Sequence, residues 1–111
     1  MKVVINKCFG GFSLSDKAID RLKELAIEQG DKELIKMINK DKREDDTGKY
    51  WGLFSIRRDH PLLIKVVEEL GEEANGRFAE LRVVNIPDDI EWEIEEYDGV
   101  EWVSEKHRTW G

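Results

Sequence analysis

The sequence predicts an α+β fold, with two to three helices packed on one mostly antiparallel sheet and a C-terminal hairpin. Three observations carry this. Apolar residues recur at helical spacing in blocks along the first two thirds of the chain. Apolar and charged side chains alternate near the C-terminal end, as in a half-buried strand. Asp98-Gly99 then marks a tight turn between two such runs. The order reads β-α-(α)-loop-α-β-β-β, and 111 residues fit a single domain, 1–111, with a modest core.

Val3 to Ile5, bounded by Lys2 and Asn6, reads as a short first strand. Gly10-Gly11 break the chain, and Ser13-Leu14-Ser15-Asp16 matches a capping box, so Ser13 or Ser15 caps the first helix. Ala18, Ile19, Leu22, Leu25 and Ala26 form its apolar stripe, and Gly30 stops it. Leu34, Ile35 and Ile38 give a second, shorter helical pattern. Lys40 to Lys49 has no apolar residue and reads as a solvated loop. Tyr50 to Ile56, YWGLFSI, reads as a strand or as a buried irregular segment. Asp59-His60-Pro61 opens the next helix with Asp59 as cap; Leu62, Leu63, Val66, Val67 and Leu70 are its apolar face and Gly71 its end. Asn75-Gly76 marks a turn, and Leu81 to Ile86 a strand stopped by Pro87. Ile90, Trp92 and Ile94 alternate with Glu91, Glu93 and Glu95, and the hairpin returns through Val100 to Ser104.

A formal charge of −7 argues against a general nucleic-acid binder, which needs a broad basic surface. It leaves room for a small anionic ligand, because a few converging arginines dominate a pocket whatever the net charge. Cys8 is the only cysteine, so a reducing compartment is expected; with no signal peptide or membrane span in the pattern, the expectation is a cytosolic protein. His60 and His107 lie far apart, and neither has a spacing to Cys8 that suggests a nucleophile and its base. Glu91, Glu93 and Glu95 share a face that lacks the histidine or cysteine of a metal site. Neither a Walker loop nor a dinucleotide fingerprint is present. Catalytic machinery is thus hard to find among these residues, and no metal and no cofactor are expected.

Two features point to a ligand instead. Phe9-Gly10-Gly11-Phe12 lies between a strand and a capped helix, where backbone N–H groups can cradle an anion and phenylalanines can stack on a base. The plainer alternative is a tight turn with two core phenylalanines. The second feature is arginine placement. Arg57-Arg58 precede a helix opening, Arg77 follows the Asn75-Gly76 turn, and Arg108 sits in the terminal cluster KHRTWG beside Thr109 and Trp110. Guanidinium groups grip phosphate and stack on bases. That cluster follows an acidic run from Asp88 to Glu105 without one basic side chain.

Several blocks resemble a family of small tailed-phage proteins: KVVINKCFGGFSLS (Lys2 to Ser15), the Arg57, Asp59 and Pro61 segment, VVEELGEEANGR (Val66 to Arg77), IPDDIEWEIEEYDG (Ile86 to Gly99) and EKHRTW (Glu105 to Trp110). They cover most of the chain and are similar to the first-described Thoeris anti-defence sponges. The resemblance implies sequestration of cyclic ADP-ribose isomers made by bacterial TIR-domain enzymes, in the cytoplasm of the infected host. It also implies binding of cyclic oligonucleotide signals at separate sites, which would blunt Thoeris- and CBASS-type immunity. The protein would be a homo-oligomer, dimeric or higher and up to a hexamer, with no membrane, DNA or RNA polymer as partner. Arg57 and Arg108 would contact phosphate, Phe78 or another aromatic would stack on adenine, and Asn75 or Asn85 would supply polar contacts. Lys40 to Lys49 matches no block of the family.

Two rivals stand beside this reading. One is an acidic inhibitor that covers a basic host protein through the Asp88–Glu105 face; the other is a small hydrolase of nucleotide signals. Under the sponge reading, removing Arg108 is expected to weaken ligand binding roughly tenfold or more while leaving the thermal midpoint of the free protein nearly unchanged. Calorimetric titration beside a melting curve checks both, and an unfolded variant would make Arg108 structural.

Overall fold

The computed structural model describes residues 1–45 and 47–105, so the expectations placed on Arg108, Thr109 and Trp110 lie outside the described residues. The described chain runs β1 (Lys2–Asn6), α1 (Asp16–Gln29), α2 (Lys32–Asp41), α3 (Pro61–Leu70), a 3-10 turn (Gly71–Ala74), β2 (Leu81–Asn85), β3 (Trp92–Tyr97) and β4 (Val100–Glu105). This is an α+β arrangement with a C-terminal hairpin. The strands form two separate antiparallel ribbons, β1 with β2 and β3 with β4, rather than one continuous sheet.

Local chemistry accounts for the helices. Ser15, and not Ser13, caps α1: its Oγ accepts from Ala18 N at 3.1 Å, while its hydroxyl donates to Glu73 O. Gly30 closes α1 in the left-handed conformation at φ 70°. Asp31 caps α2 by accepting from Leu34 N at 3.1 Å. The cap of α3 is His60 rather than Asp59: its Nδ1 accepts from Leu62 N at 3.1 Å, and Asp59 instead accepts from Arg57 Nε at 3.0 Å. Pro61 follows at the first helical position, where its missing N–H is no loss. His60 Nε2 lies 3.2 Å from Asp31 Oδ2, so one ring ties the starts of α2 and α3 together.

The buried stripes of the helices meet in one core. Ala18, Ile19, Leu22, Leu25 and Ala26 of α1 pack with Leu34 and Ile38 of α2 and Leu63, Val66 and Val67 of α3. Helix α1 touches both other helices, α3 lies against β1 and β2, and β4 comes alongside β1. The YWGLFSI stretch is irregular, with Leu53 and Ile56 buried beneath it.

The division into two ribbons traces to β1. Its N–H groups at Val4 and Asn6 point away from β2, and neither finds a strand. Val4 N donates to Arg58 O at 2.8 Å, and Asn6 N donates to Glu101 Oε1 at 2.8 Å. A carboxylate on β4 therefore occupies the place of a ladder carbonyl, and β4 stands beside β1 without pairing to it. The Asn6 amide is wholly buried: Nδ2 donates to Cys8 O and Gly99 O, each at 2.7 Å, and Oδ1 accepts from Glu80 N at 2.8 Å. Arg58 closes the group by pairing with Glu101 while its guanidinium lies 3.6 Å from the Phe12 ring centroid.

Glu101 and Arg58 keep only 9% and 16% of their side-chain surface exposed, so breaking their pair strands a charge in a poorly solvated place. Glu101→Ala is expected to cost about 3–5 kcal/mol of unfolding free energy, measured by urea denaturation. Glu101→Gln retains an acceptor for Asn6 N and should lose less. Equal stability of both variants and the parent would show that this network does not hold the ribbons together.

Candidate functional site

Residues 13–15 form a floor between two segments that come from distant parts of the chain. Leu14 N donates to Gly52 O at 2.9 Å on one side. On the other, Gly76 N donates to Ser13 O and Ser15 N donates to Ala74 O, both at 2.9 Å. Glycine is required at position 76, because a Cβ there would lie 1.9 Å from Ser13 Oγ. These contacts hold Trp51 and Phe54 on one wall and Arg77 and Phe78 on the other. Between them lies a cleft of about 500 Å³, which Gly10, Asp16, Arg43, Lys49, Tyr50 and Asn75 also line.

The Trp51 wall is shaped by Asp41, the last residue of α2. Its Oδ2 accepts from Gly52 N and Leu53 N, each at 3.0 Å, and its carbonyl accepts from Trp51 N at 3.1 Å. This anchoring holds Leu53 at φ 56°, a conformation that a side chain with a Cβ rarely adopts. The loop between Asp41 and Trp51 folds back on itself, with Arg43 N donating to Lys49 O at 2.9 Å. Tyr50 pins its far end to α1: its N–H donates to Asp16 Oδ1 and its hydroxyl to Asp20 Oδ1, both at 3.0 Å. Burial, and then the Asp20 hydrogen bond, push the Tyr50 phenol up to about 12, so it is neutral and a permanent donor at ordinary pH.

Arginine pairing separates this cleft from the rest of the surface. Arg21 pairs with Glu24 and Glu69, Arg57 with Asp59, Arg58 with Glu101, and Arg82 with Glu80. Among the described residues, Arg43 and Arg77 have no carboxylate partner within 4.0 Å. Both line the cleft, and both lie over an aromatic ring: Arg43 at 4.5 Å from the Trp51 centroid and Arg77 at 5.1 Å from that of Phe78. Arg43 Nε is buried with no hydrogen-bond partner among the described residues. Within this loop the Asp45 carboxyl is held below its usual range first by its hydrogen bond from Thr47 and, less strongly, by the charge of Arg43. The cleft thus presents three cationic side chains and four aromatic rings, while its one carboxylate, Asp16, already accepts from Tyr50 N.

The residues expected from sequence are dispersed by the fold. Gly10, Asn75, Arg77 and Phe78 come together in the cleft. Phe12 does not face it: the ring is 4% exposed and covered by Arg58, so it belongs to the core. The anion cradle expected at Gly10-Gly11 is filled from within, since Gly10 N donates to Asp98 O and a Cβ at Gly99 would lie 2.3 Å from Gly11 N. Phe9 is exposed but outside the cleft lining, and Asn85 pairs with Lys2 at the end of the first ribbon. Asn75 faces the cleft, although its Oδ1 accepts from Leu81 N at 2.9 Å. Arg57 lines a different groove with Gln29, Asp31 and His60, and its guanidinium pairs with Asp59.

Sequence reasoning missed Arg43, Lys49, Trp51 and Phe54. A polar run such as KDKREDDTGK carries no periodic signal, and only the return of the loop onto Trp51 gives Arg43 a neighbour. No described helix is long and apolar enough to cross a membrane. Comparison of the chain with protein-family models, with curated proteins and with solved structures finds no match.

The raised Tyr50 phenol sets a pH window. Its stabilising contribution is complete below its ordinary value of 10.0 and is lost as pH rises through about 12. The stability difference between the parent protein and Tyr50→Phe is therefore expected to be constant up to about pH 10 and to shrink above it, as read by alkaline urea titrations. A constant difference at higher pH would rule out this anchoring.

Proposed function

We propose that the protein is a non-catalytic binder of small nucleotides that sequesters cyclic ADP-ribose isomers, and cyclic oligonucleotide signals at further sites. In that role it blocks Thoeris- or CBASS-type signalling in the cytoplasm of a phage-infected bacterium. The observation that carries the nucleotide reading is the convergence, in one cleft, of the two described arginines without a carboxylate partner, each beside an exposed aromatic ring. Guanidinium plus aromatic is the pair of groups that a phosphate and a base require. The specific choice of cyclic ADP-ribose comes from the sequence blocks.

Magnitudes argue for assembly as part of this proposal. A sponge works by removing its ligand from solution, which calls for nanomolar binding at roughly −12 kcal/mol. Two charge-assisted arginine contacts supply about 1.5–3 kcal/mol each, and two stacked rings about 1–3 kcal/mol each. These fall short unless all sit at their upper limits, before the cost of association. A second copy that encloses the cleft closes the gap and brings further cations such as Arg57 or Arg108. Trp92, Ile94 and Val103 are half-buried on one face of a two-stranded ribbon, which offers apolar area for that contact.

The test is capture. Purified protein is mixed with a panel of cyclic ADP-ribose isomers and cyclic oligonucleotides, freed of unbound ligand and heat-denatured, and the released material is analysed. Intact nucleotide at stoichiometric yield supports the proposal, and Arg77→Ala is then expected to weaken capture roughly tenfold or more with an unchanged melting midpoint. Modified nucleotide would make the protein a hydrolase. No capture would leave the acidic β3–β4 ribbon and a basic protein partner as the better reading.

A further inference from the structure

We infer that Arg43 and Arg77 act as placeholders on Trp51 and Phe78 in the free protein, so that the cleft admits only ligands carrying a planar base and an anion in the same molecule. The inference rests on the nucleotide reading of the cleft and adds a rule for what that cleft rejects.

The geometry supplies the premises. A guanidinium is planar and weakly hydrated, so an aromatic face is a good resting place when no anion is near. The Arg43 and Arg77 groups rest at 4.5 and 5.1 Å from their ring centroids. Trp51 and Phe78 otherwise remain 59% and 61% exposed, so each is a large apolar surface kept partly covered by a cation. Arg43 Nε is buried without a hydrogen-bond partner among the described residues, so moving this guanidinium off Trp51 breaks no hydrogen bond that Nε makes to them. Arg58 shows the contrast. It also lies on a ring, but it pairs with Glu101 and is part of the core.

A base that stacks on the covered face of either ring must first move the guanidinium. A nucleoside does this without offering the cation a new partner. Inorganic pyrophosphate draws the cation away but leaves the ring uncovered. A nucleotide does both, because its phosphate takes the arginine while its base takes the ring. Each arginine–aromatic pair therefore couples the two recognition events, and discrimination against nucleosides and free phosphates is built into the empty site. Arg43 and Trp51 are specificity-determining residues under this reading, although they lie in and beside a loop that carries no motif.

The coupling has a reciprocal signature that a merely attractive arginine lacks. Binding of cyclic ADP-ribose, adenosine and inorganic pyrophosphate to the full chain is measured by calorimetry, with ligand-observed NMR for the weak fragments. Arg43→Gln is expected to weaken cyclic ADP-ribose roughly tenfold or more while tightening adenosine roughly two- to fivefold. Trp51→Leu is expected to weaken cyclic ADP-ribose and adenosine while tightening pyrophosphate by roughly two- to fivefold, since Arg43 is then released from its ring. Arg77→Gln, at an exposed position, repeats the first test at the second pair should Arg43→Gln fail to fold by circular dichroism. Adenosine affinity that is unchanged, weaker or undetectable in the folded arginine variants overturns the placeholder role and leaves nucleotide binding intact. A parent protein that binds no cyclic ADP-ribose overturns both the nucleotide reading and this inference.

Discussion

Asn6 lies at the end of β1 with no solvent contact, and the rest of the described fold is arranged around what its amide and backbone require. Its side chain joins Cys8, Glu80 and Gly99, while its N–H goes to Glu101. A buried amide with its donors and acceptors met fixes relative positions tightly, because any displacement leaves a polar group unpaired in a poor solvent. The Glu101 carboxylate then needs a cation, and Arg58 provides it from the segment just before α3. A pair of this kind adds little beyond what apolar packing would, but breaking it is costly, so its role is to specify an arrangement.

That arrangement reaches the cleft. Arg58 presses on Phe12, and the chain from Phe12 continues directly into the Ser13–Ser15 floor. Gly99, held by the Asn6 amide, seats the β3–β4 turn against Gly10 and Gly11, and a Cβ on Gly10 would lie 2.6 Å from Phe78 Cβ. The core network and the Phe78 wall therefore share the same short stretch of backbone. The opposite wall is held by Asp41, by Tyr50 and by the Leu14–Gly52 hydrogen bond, and Leu53 and Ile56 anchor it in the core. Selectivity is easier to vary at the exposed Lys49, Trp51 and Phe54 of the second wall, which lie outside the buried core.

Much of the fold is legible in the sequence. The apolar stripes of α1, α2 and α3, the stops at Gly30 and Gly71, and the Asp98-Gly99 hairpin all follow from spacing and turn chemistry within a few residues. The errors also have local causes. Asp59 is the commoner cap type, but the His60 ring nitrogen reached Leu62 N first and Asp59 went to Arg57. Gly10-Gly11 looked like a cradle because the sequence does not show that a hairpin turn fills it. Of the site, Gly10, Asn75, Arg77 and Phe78 were named from sequence, whereas Arg43, Lys49, Trp51 and Phe54 were not.

The sequence by itself determined the helices, the hairpin and the supply of arginines and aromatics, since these depend on periodicity, capping and turn propensities read over short windows. Only the tertiary structure decided which arginines are spent and which are left. Arg58 meets its carboxylate 43 positions away, and Asn6 meets its own 95 positions away, separations at which no spacing rule operates. Charge pairing depends on which surfaces the core brings together. For that reason Arg43, in the least informative stretch of the chain, ends up beside Trp51 with no carboxylate within 4.0 Å among the described residues.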